Sequence, residues 1–435
     1  MRRLAFNSMV LTLGAYVAQG ASVLTYVLAA RALGPSVFGL LSSAIGVAIL
    51  VAGFGDFGIN GWAIRALARN PSSLELFRQT LTAKLTLASL LALAWVAISL
   101  TILGRSSLEL PVALLSGYLL SQVVAGTLTV PFRAAENMTV VSIVGAVEKA
   151  VALGMWLAMQ RHGGYPPEMM LPIALLAGGG ASVVCALVLI PRHLLAIAAP
   201  SLRQVLELWR SSYSFGMVGV SAGILRADVA VVSAIAGPYA SGVYAAPARL
   251  TTFLVVIPAS FSAAVFPRIA RASADGTSRR PEIISAAAML ALMVLMLGAL
   301  AIAAPVLVTL ALGPAYSSSV LVFRIYLLVV LINAANQPLL ALLQAEGYEH
   351  YAGRVVVASA VVGLLTIAAG AYIGGAAGAA AGAVLLQLLQ VLMFVSKAVR
   401  RPRPIRATHV LADVTDSGLE VQMLPPVVVD DPVHS

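Results

Sequence analysis

Apolar runs long enough to cross a bilayer recur along the whole chain, and that leaves it few ways to fold. A membrane-spanning strand needs only roughly 9 to 11 residues and a spanning helix about 20, so runs of this length mean helices. In hydrocarbon a helix satisfies its own backbone hydrogen bonds, which an open sheet cannot do. Composition agrees: 60% of the 435 residues are hydrophobic and 10% charged, and the mean hydropathy is +0.97.

Spans are predicted near 8 to 30, 38 to 60, 80 to 103, 110 to 132, 138 to 160 and 169 to 190. A second set follows near 213 to 236, 243 to 266, 284 to 304, 317 to 341, 352 to 373 and 376 to 396. The expected fold is an all-α integral membrane protein of about 12 transmembrane helices in two six-helix lobes, 1–190 and 213–398. An amphipathic cytoplasmic linker, 191–212, is expected to join them, with Leu202, Val205, Leu206 and Trp209 on its apolar side. Residues 399–435 read as a cytoplasmic, disordered tail.

Basic residues set the orientation. Nineteen fall in loops on one side, three (Arg31, Arg105 and Arg161) in loops on the other, and five inside spans. Short loops rich in Arg face the cytoplasm, so both termini are expected there, in a bacterial or archaeal cell membrane. The cations are spread over many loops instead of forming one stripe, which argues against nucleic acid as a partner. There is no G-x-x-x-x-G-K-[ST] phosphate loop and no metal-ligand cluster, and none of the five histidines lies inside a span. No cofactor, metal or catalytic residue is expected, and the chain does not read as an enzyme. Its single cysteine, Cys185, allows no intrachain disulfide.

An internal repeat is visible. Gly34-Pro35 is followed by Gly39 as Gly237-Pro238 is by Gly242, an offset of 203 residues, and each copy leads into a helix ending in a basic cluster. Six spans lie between the copies, so the halves share one orientation and should enclose a site near the midplane. These six residues, with Pro258 in the eighth span, are gating or structural candidates.

Ionisable groups at bilayer depth are costly and address a cavity or a partner. Arg226 and Asp228 lie near the middle of the seventh span, and Arg249 and Arg324 in outer portions of the eighth and tenth. With Gln122, Asn333, Asn336 and Gln337, the three arginines are candidates to bind substrate. Their alternatives are snorkelling for Arg249 and Arg324 and helix-to-helix ties for the amides. Glu148 and Asp228 are candidates for ion coupling. Glu148 and Lys149 are adjacent, about 100° apart on a helix, so each is expected to face a different neighbour.

The stretches Ala30-Arg-Ala-Leu-Gly-Pro-Ser-Val-Phe-Gly and Asp56-Phe-Gly, ahead of Arg65 and Arg69, resemble polysaccharide (Wzx-type) flippases. So do Arg226-Ala-Asp228, Gly242-Val-Tyr-Ala-Ala-Pro-Ala-Arg249 and Phe266-Pro-Arg268. The resemblance implies the multidrug/oligosaccharidyl-lipid/polysaccharide (MOP) exporter superfamily, with a MATE-like pair of six-helix bundles around a central cavity. It implies transfer of a polyprenyl-(pyro)phosphate-linked oligosaccharide to the outer leaflet by alternating access. Membrane lipids, a polysaccharide polymerase and glycosyltransferases are the partners it suggests. The alternatives are a proton- or sodium-coupled multidrug exporter of the same superfamily and a non-transporting scaffold for polysaccharide assembly.

Overall fold

The computed structural model describes residues 2–69, 74–103, 107–195, 208–212, 223–274, 280–346 and 348–400. The tail beyond residue 400, most of the expected linker and the first ten residues of the expected seventh span lie outside these. Among the described residues the chain is helical, with no strand. The helices are α1 (Arg2–Asp56), α2 (Ile59–Arg69), α3 (Leu74–Leu103), α4 (Glu109–Leu128), α5 (Val130–Ala134), α6 (Met138–His162) and α7 (Pro167–Leu189). They continue with α8 (Asp228–Ala274), α9 (Arg280–Leu312), α10 (Ser319–Ala345) and α11 (Glu349–Val399). Residues from Met1 to Val395 form one compact unit; Ser396–Ser435 count as a second.

Nine of the described helical stretches are long and apolar enough to cross a membrane. Three of them, within α1, α8 and α11, run for 41, 38 and 50 residues. At roughly 1.5 Å per residue each would be about twice as long as a bilayer core is thick if straight. Each instead folds back at glycine. Gly34 (φ 71°, ψ 170°) and Gly237 (φ 87°, ψ 171°) take the same left-handed conformation, and α11 turns at Gly374 and Gly375. Positive φ carries no Cβ penalty at glycine, and the proline that follows Gly34 and Gly237 starts the next helix with its ring already at a helical φ. Counted as hairpins, the three bring the number of apolar arms to twelve, the first arm of α8 being described only over 225–236, roughly 18 Å. The loops expected at 31–37 and 237–242 are therefore single-residue turns. Gly313-Pro314, between α9 and α10, repeats the conformation (φ 93°, ψ 170°).

Two hydrogen bonds confirm the folding back. Tyr244 Oη donates to Asp228 Oδ2 at 2.9 Å across α8, and Thr366 Oγ1 to Gly382 O at 3.0 Å across α11. Both pairs are 16 residues apart, roughly 24 Å along a straight helix. In α11 a side chain at Gly370 would strike Gly378 O, one at Gly378 would strike Gly370 O, and one at Gly382 would strike Thr366 O, so the glycine series lets the two arms touch backbone to backbone.

The Gly-Pro repeat has a direct structural meaning. A Cβ on Gly39 would collide with Pro238 O, and one on Gly242 with Pro35 O. The two copies thus pack against each other reciprocally, and the second arm of α1 lies along the first arm of α8. That seam continues through Ser43 Oγ to Val229 O (3.2 Å) and through Gly46 against Arg226 O. The third Gly-Pro turn joins the same end, where Tyr316 Oη donates to Ala30 O (3.0 Å) and Arg31 Nη1 to Leu310 O (3.3 Å).

The repeat is broken at the other end of the second arm of α1. There α1 stops at Asp56, and Phe57 (φ 35°) and Gly58 (φ 72°) turn the chain into α2. α2 buries Ile59, Ala63 and Leu67 and exposes Arg65 and Arg69, as an amphipathic surface helix does. The matching stretch of the second half runs on unbroken to Ala274 in α8. Helices also continue through Pro258 and Pro338, so neither proline breaks its span.

A cationic cavity between the two halves

Below the Gly-Pro end the first arm of α1 meets the second arm of α8 through side chains. Tyr16 and Phe253 pack edge to face with centroids 5.5 Å apart, Gln19 Nε2 donates to Thr252 Oγ1 at 2.8 Å, and the Arg249 guanidinium lies 4.4 Å from the centre of the Tyr26 ring. The last is within reach of a cation–π interaction, worth about 2 kcal/mol where the pair is desolvated.

Between this contact and the glycine seam lies a cavity of about 650 Å³, within the roughly 300–1,000 Å³ typical of ligand sites. Both halves line it: Gln19, Ser22 and Tyr26, Ala52 and Gly53, Tyr118 and Gln122, and Lys149 from the first, and Gly223, Arg226, Arg249 and Thr252 from the second. Arg226 stands 11 residues before the Gly237 turn and Arg249 12 residues after it, each roughly 17 Å from that end. Both arginines are at mid-depth. The placement of Arg249 in the outer part of its span is corrected, because helix resumes at Pro238 and not at residue 243.

A smaller cavity of about 240 Å³ lies wholly within the second half, between α8, α10 and α11. Arg226, Arg249, Thr252 and Val255 line both cavities, so the two arginines form a shared wall.

Three cations, Lys149, Arg226 and Arg249, thus face the main cavity, and the nearest carboxylates are engaged. Glu148 and Lys149 form an ion pair with each other, and Gln122 Nε2 donates to Glu148 Oε1 at 3.0 Å. Glu148 and Lys149 do not face different neighbours as expected: two long side chains bridge the 100° between them where there is little water to solvate either charge. Asp228 accepts from Tyr244 Oη and, at 2.8 Å, from Val229 N. Asp228 does not pair with Arg226, although both line the smaller cavity.

The other candidates separate. Asn333 lines the smaller cavity, and its buried Oδ1 has no hydrogen-bond partner. Asn336 ties α10 to α11, donating to Gln387 Oε1 at 2.8 Å. Gln337 is half-buried and lines neither cavity. Arg324 is exposed and donates to Ala301 O at 3.0 Å, outside both cavities. Tyr26 and Tyr118 were missed as candidates, since neither spacing nor charge marks which tyrosine of an apolar span faces inward. Lys84 is 1% exposed and bonds Asp56 and Asn60 Oδ1 (2.7 Å). Among the described residues no group of His, Cys, Asp and Glu could hold a metal ion.

Twelve apolar arms in two halves that meet reciprocally, with a polar cavity at mid-depth between them, define a transporter fold. Solved structures share it. The chain aligns with the lipid II flippase MurJ in an inward closed conformation at 13% identity, covering 91% of this chain and 88% of that one, TM-score 0.65. It aligns with an inward-facing multidrug resistance MATE family transporter of the MOP superfamily at 14% identity, covering 94% and 96%, TM-score 0.64. A MOP superfamily transporter from Pyrococcus furiosus, described as having a binding pocket of reverse polarity, aligns at 14%, covering 91% and 95%, TM-score 0.60. No curated protein matches in sequence. The sequence profile of the polysaccharide biosynthesis proteins matches residues 4–273. The chain belongs to that family, and its fold is the one that the MATE transporters and the lipid II flippase share.

Proposed function

We propose that this protein carries a polyprenyl-(pyro)phosphate-linked oligosaccharide from the cytoplasmic to the outer leaflet by alternating access. The supporting observation is the charge of the cavity: Lys149, Arg226 and Arg249 line it, while Glu148 and Asp228 are held in pairs outside the main cavity's lining. Guanidinium groups bind phosphate bidentately, and in a low-dielectric site such bonds are strong. With Lys149 neutralised by Glu148, an organic cation would still meet the two guanidiniums of Arg226 and Arg249. The Gly-Pro end, where the halves touch, is the outer end in this reading, because the Arg-rich loops lie at the other. The headgroup enters the cavity from the cytoplasmic side, the polyprenyl chain stays in the bilayer, and lobes 1–190 and 213–398 rock against each other, opening and closing the contacts between α1 and α8.

The test uses purified protein in vesicles and a fluorescent polyprenyl-diphosphate oligosaccharide, followed to the opposite leaflet with and without a proton or sodium gradient. Arg226→Ala should lower the rate at least tenfold while the protein stays folded and inserted. Unchanged translocation in that variant would remove Arg226 from the phosphate site; uptake of organic cations without any glycolipid transfer would make the protein a drug exporter.

A further inference from the structure

We propose that the 240 Å³ cavity inside the second half is a subsite for one uncharged sugar residue, the one joined to the phosphate held at Arg226 and Arg249. This rests on the phosphate reading above and goes beyond it, since it names a separate place for the glycan and the groups that read it.

Three observations carry it. First, the cavity shares its arginine wall with the main one, so a group bound there is within one linkage of an anion on either guanidinium. Second, its lining is polar in both senses. Asp228 has two acceptor oxygens that together take only two bonds in this structure, out of about four that a carboxylate accepts. Gln387 receives Asn336 at its Oε1 and so keeps its NH₂ to donate. Asn333 Oδ1 is buried without a donor, a cost that a ligand hydroxyl would remove. Val329, Val330 and the Tyr326 ring supply the apolar face against which a sugar's C–H groups pack. Third, the charge balance selects a neutral guest. Two guanidiniums against one carboxylate disfavour a cation, and the acceptors Asp228 and Asn333 disfavour a second anion. The volume lies below the usual ligand-site range, a size for one small polar unit.

Binding separates the alternatives. Purified wild-type and variant proteins in detergent are titrated with polyprenyl diphosphate and with the same lipid carrying one uncharged hexose, in sodium and in sodium-free buffer. Wild type should bind the glycosylated lipid about tenfold more tightly, the worth of one hydrogen bond to an otherwise orphaned buried acceptor. Asn333→Leu removes that acceptor, and Val329→Phe fills the cavity without touching a polar group. Each should abolish the preference for the sugar and leave binding of the bare diphosphate unchanged, with helicity and monodispersity as on wild type. A preference that survives both variants places the sugar elsewhere and overturns the proposal. So does loss of bare-diphosphate binding in both, and so does a sodium dependence of binding that either variant removes, which would make the cavity a cation site. Arg226→Ala tests the underlying reading separately: it should weaken both lipids alike, and no effect on either would sink the phosphate site itself.

Discussion

Lys84 shows what a single residue must do to stay charged inside a membrane protein. It is 1% exposed and reaches Asp56 at the end of α1 and Asn60 in α2, so it binds together three helices as well as neutralising a carboxylate. Removing Lys84 empties a buried site and strands the Asp56 carboxylate, which is 34% exposed, so the cost lies below the roughly 3–5 kcal/mol of a fully buried pair. Lys84→Ala should therefore lower the thermal stability of the detergent-solubilised protein more than Arg324→Ala, whose side chain is exposed and bonds one carbonyl. Equal losses would show that the Lys84–Asp56 pair contributes no more than a surface contact. Arg249 is held differently, over the Tyr26 ring. Tyr26→Leu keeps the apolar bulk and removes the quadrupole, so it should weaken diphosphate binding severalfold by freeing Arg249 from its orientation. Unaltered binding would mean that the ring plays no positioning part.

At the scale of elements the Gly-Pro turns do two jobs. Gly34 and Gly237 supply a left-handed backbone that lets one helix fold into two spans, while Gly39 and Gly242 supply the missing Cβ that lets the folded halves touch. The jobs predict different phenotypes. Gly34→Ala strains a hairpin and should reduce the yield of folded protein. Gly39→Val and Gly242→Val wedge a seam that belongs only to the state closed at this end. Each should raise the accessibility of an engineered cavity cysteine to a membrane-impermeant thiol reagent added from the outer side, and by reciprocity the two effects should be similar. A change from one position alone would contradict the pseudo-symmetry. α2 has no such twin, because Gly58 permits the left-handed turn after Asp56 and the second half has Phe261 at the corresponding position.

At the scale of the molecule, the seams between the halves differ in kind. The contact of the second arm of α1 with the first arm of α8 is glycine against backbone, whereas that of the first arm of α1 with the second arm of α8 is made by side chains at Gln19, Tyr26, Arg249 and Thr252. Rocking must separate or slide both. Cysteines at Gln19 and Thr252, in a protein with Cys185→Ser, joined by a short thiol crosslinker, should stop translocation and recover it on cleavage of the linker. Full activity in the crosslinked protein would exclude movement at this seam.

Span number, helical class, the repeat and the mid-depth charge of Arg226 and Asp228 were all determined by the sequence, because each depends on local properties: apolar run length, the conformational freedom of Gly-Pro, and the cost of any charge in hydrocarbon. Which charges are spent on each other was decided only by the tertiary structure. Glu148 turns to Lys149, Asp228 to Tyr244 and Lys84 to Asp56, while Arg324 lies outside and Arg249 faces the cavity. An apolar span offers nearly the same surface all round, so nothing in its pattern states which face meets lipid, a neighbouring helix or a cavity. That is settled by packing between residues distant in the chain, as Gly39 against Pro238 and Arg249 against Tyr26 show.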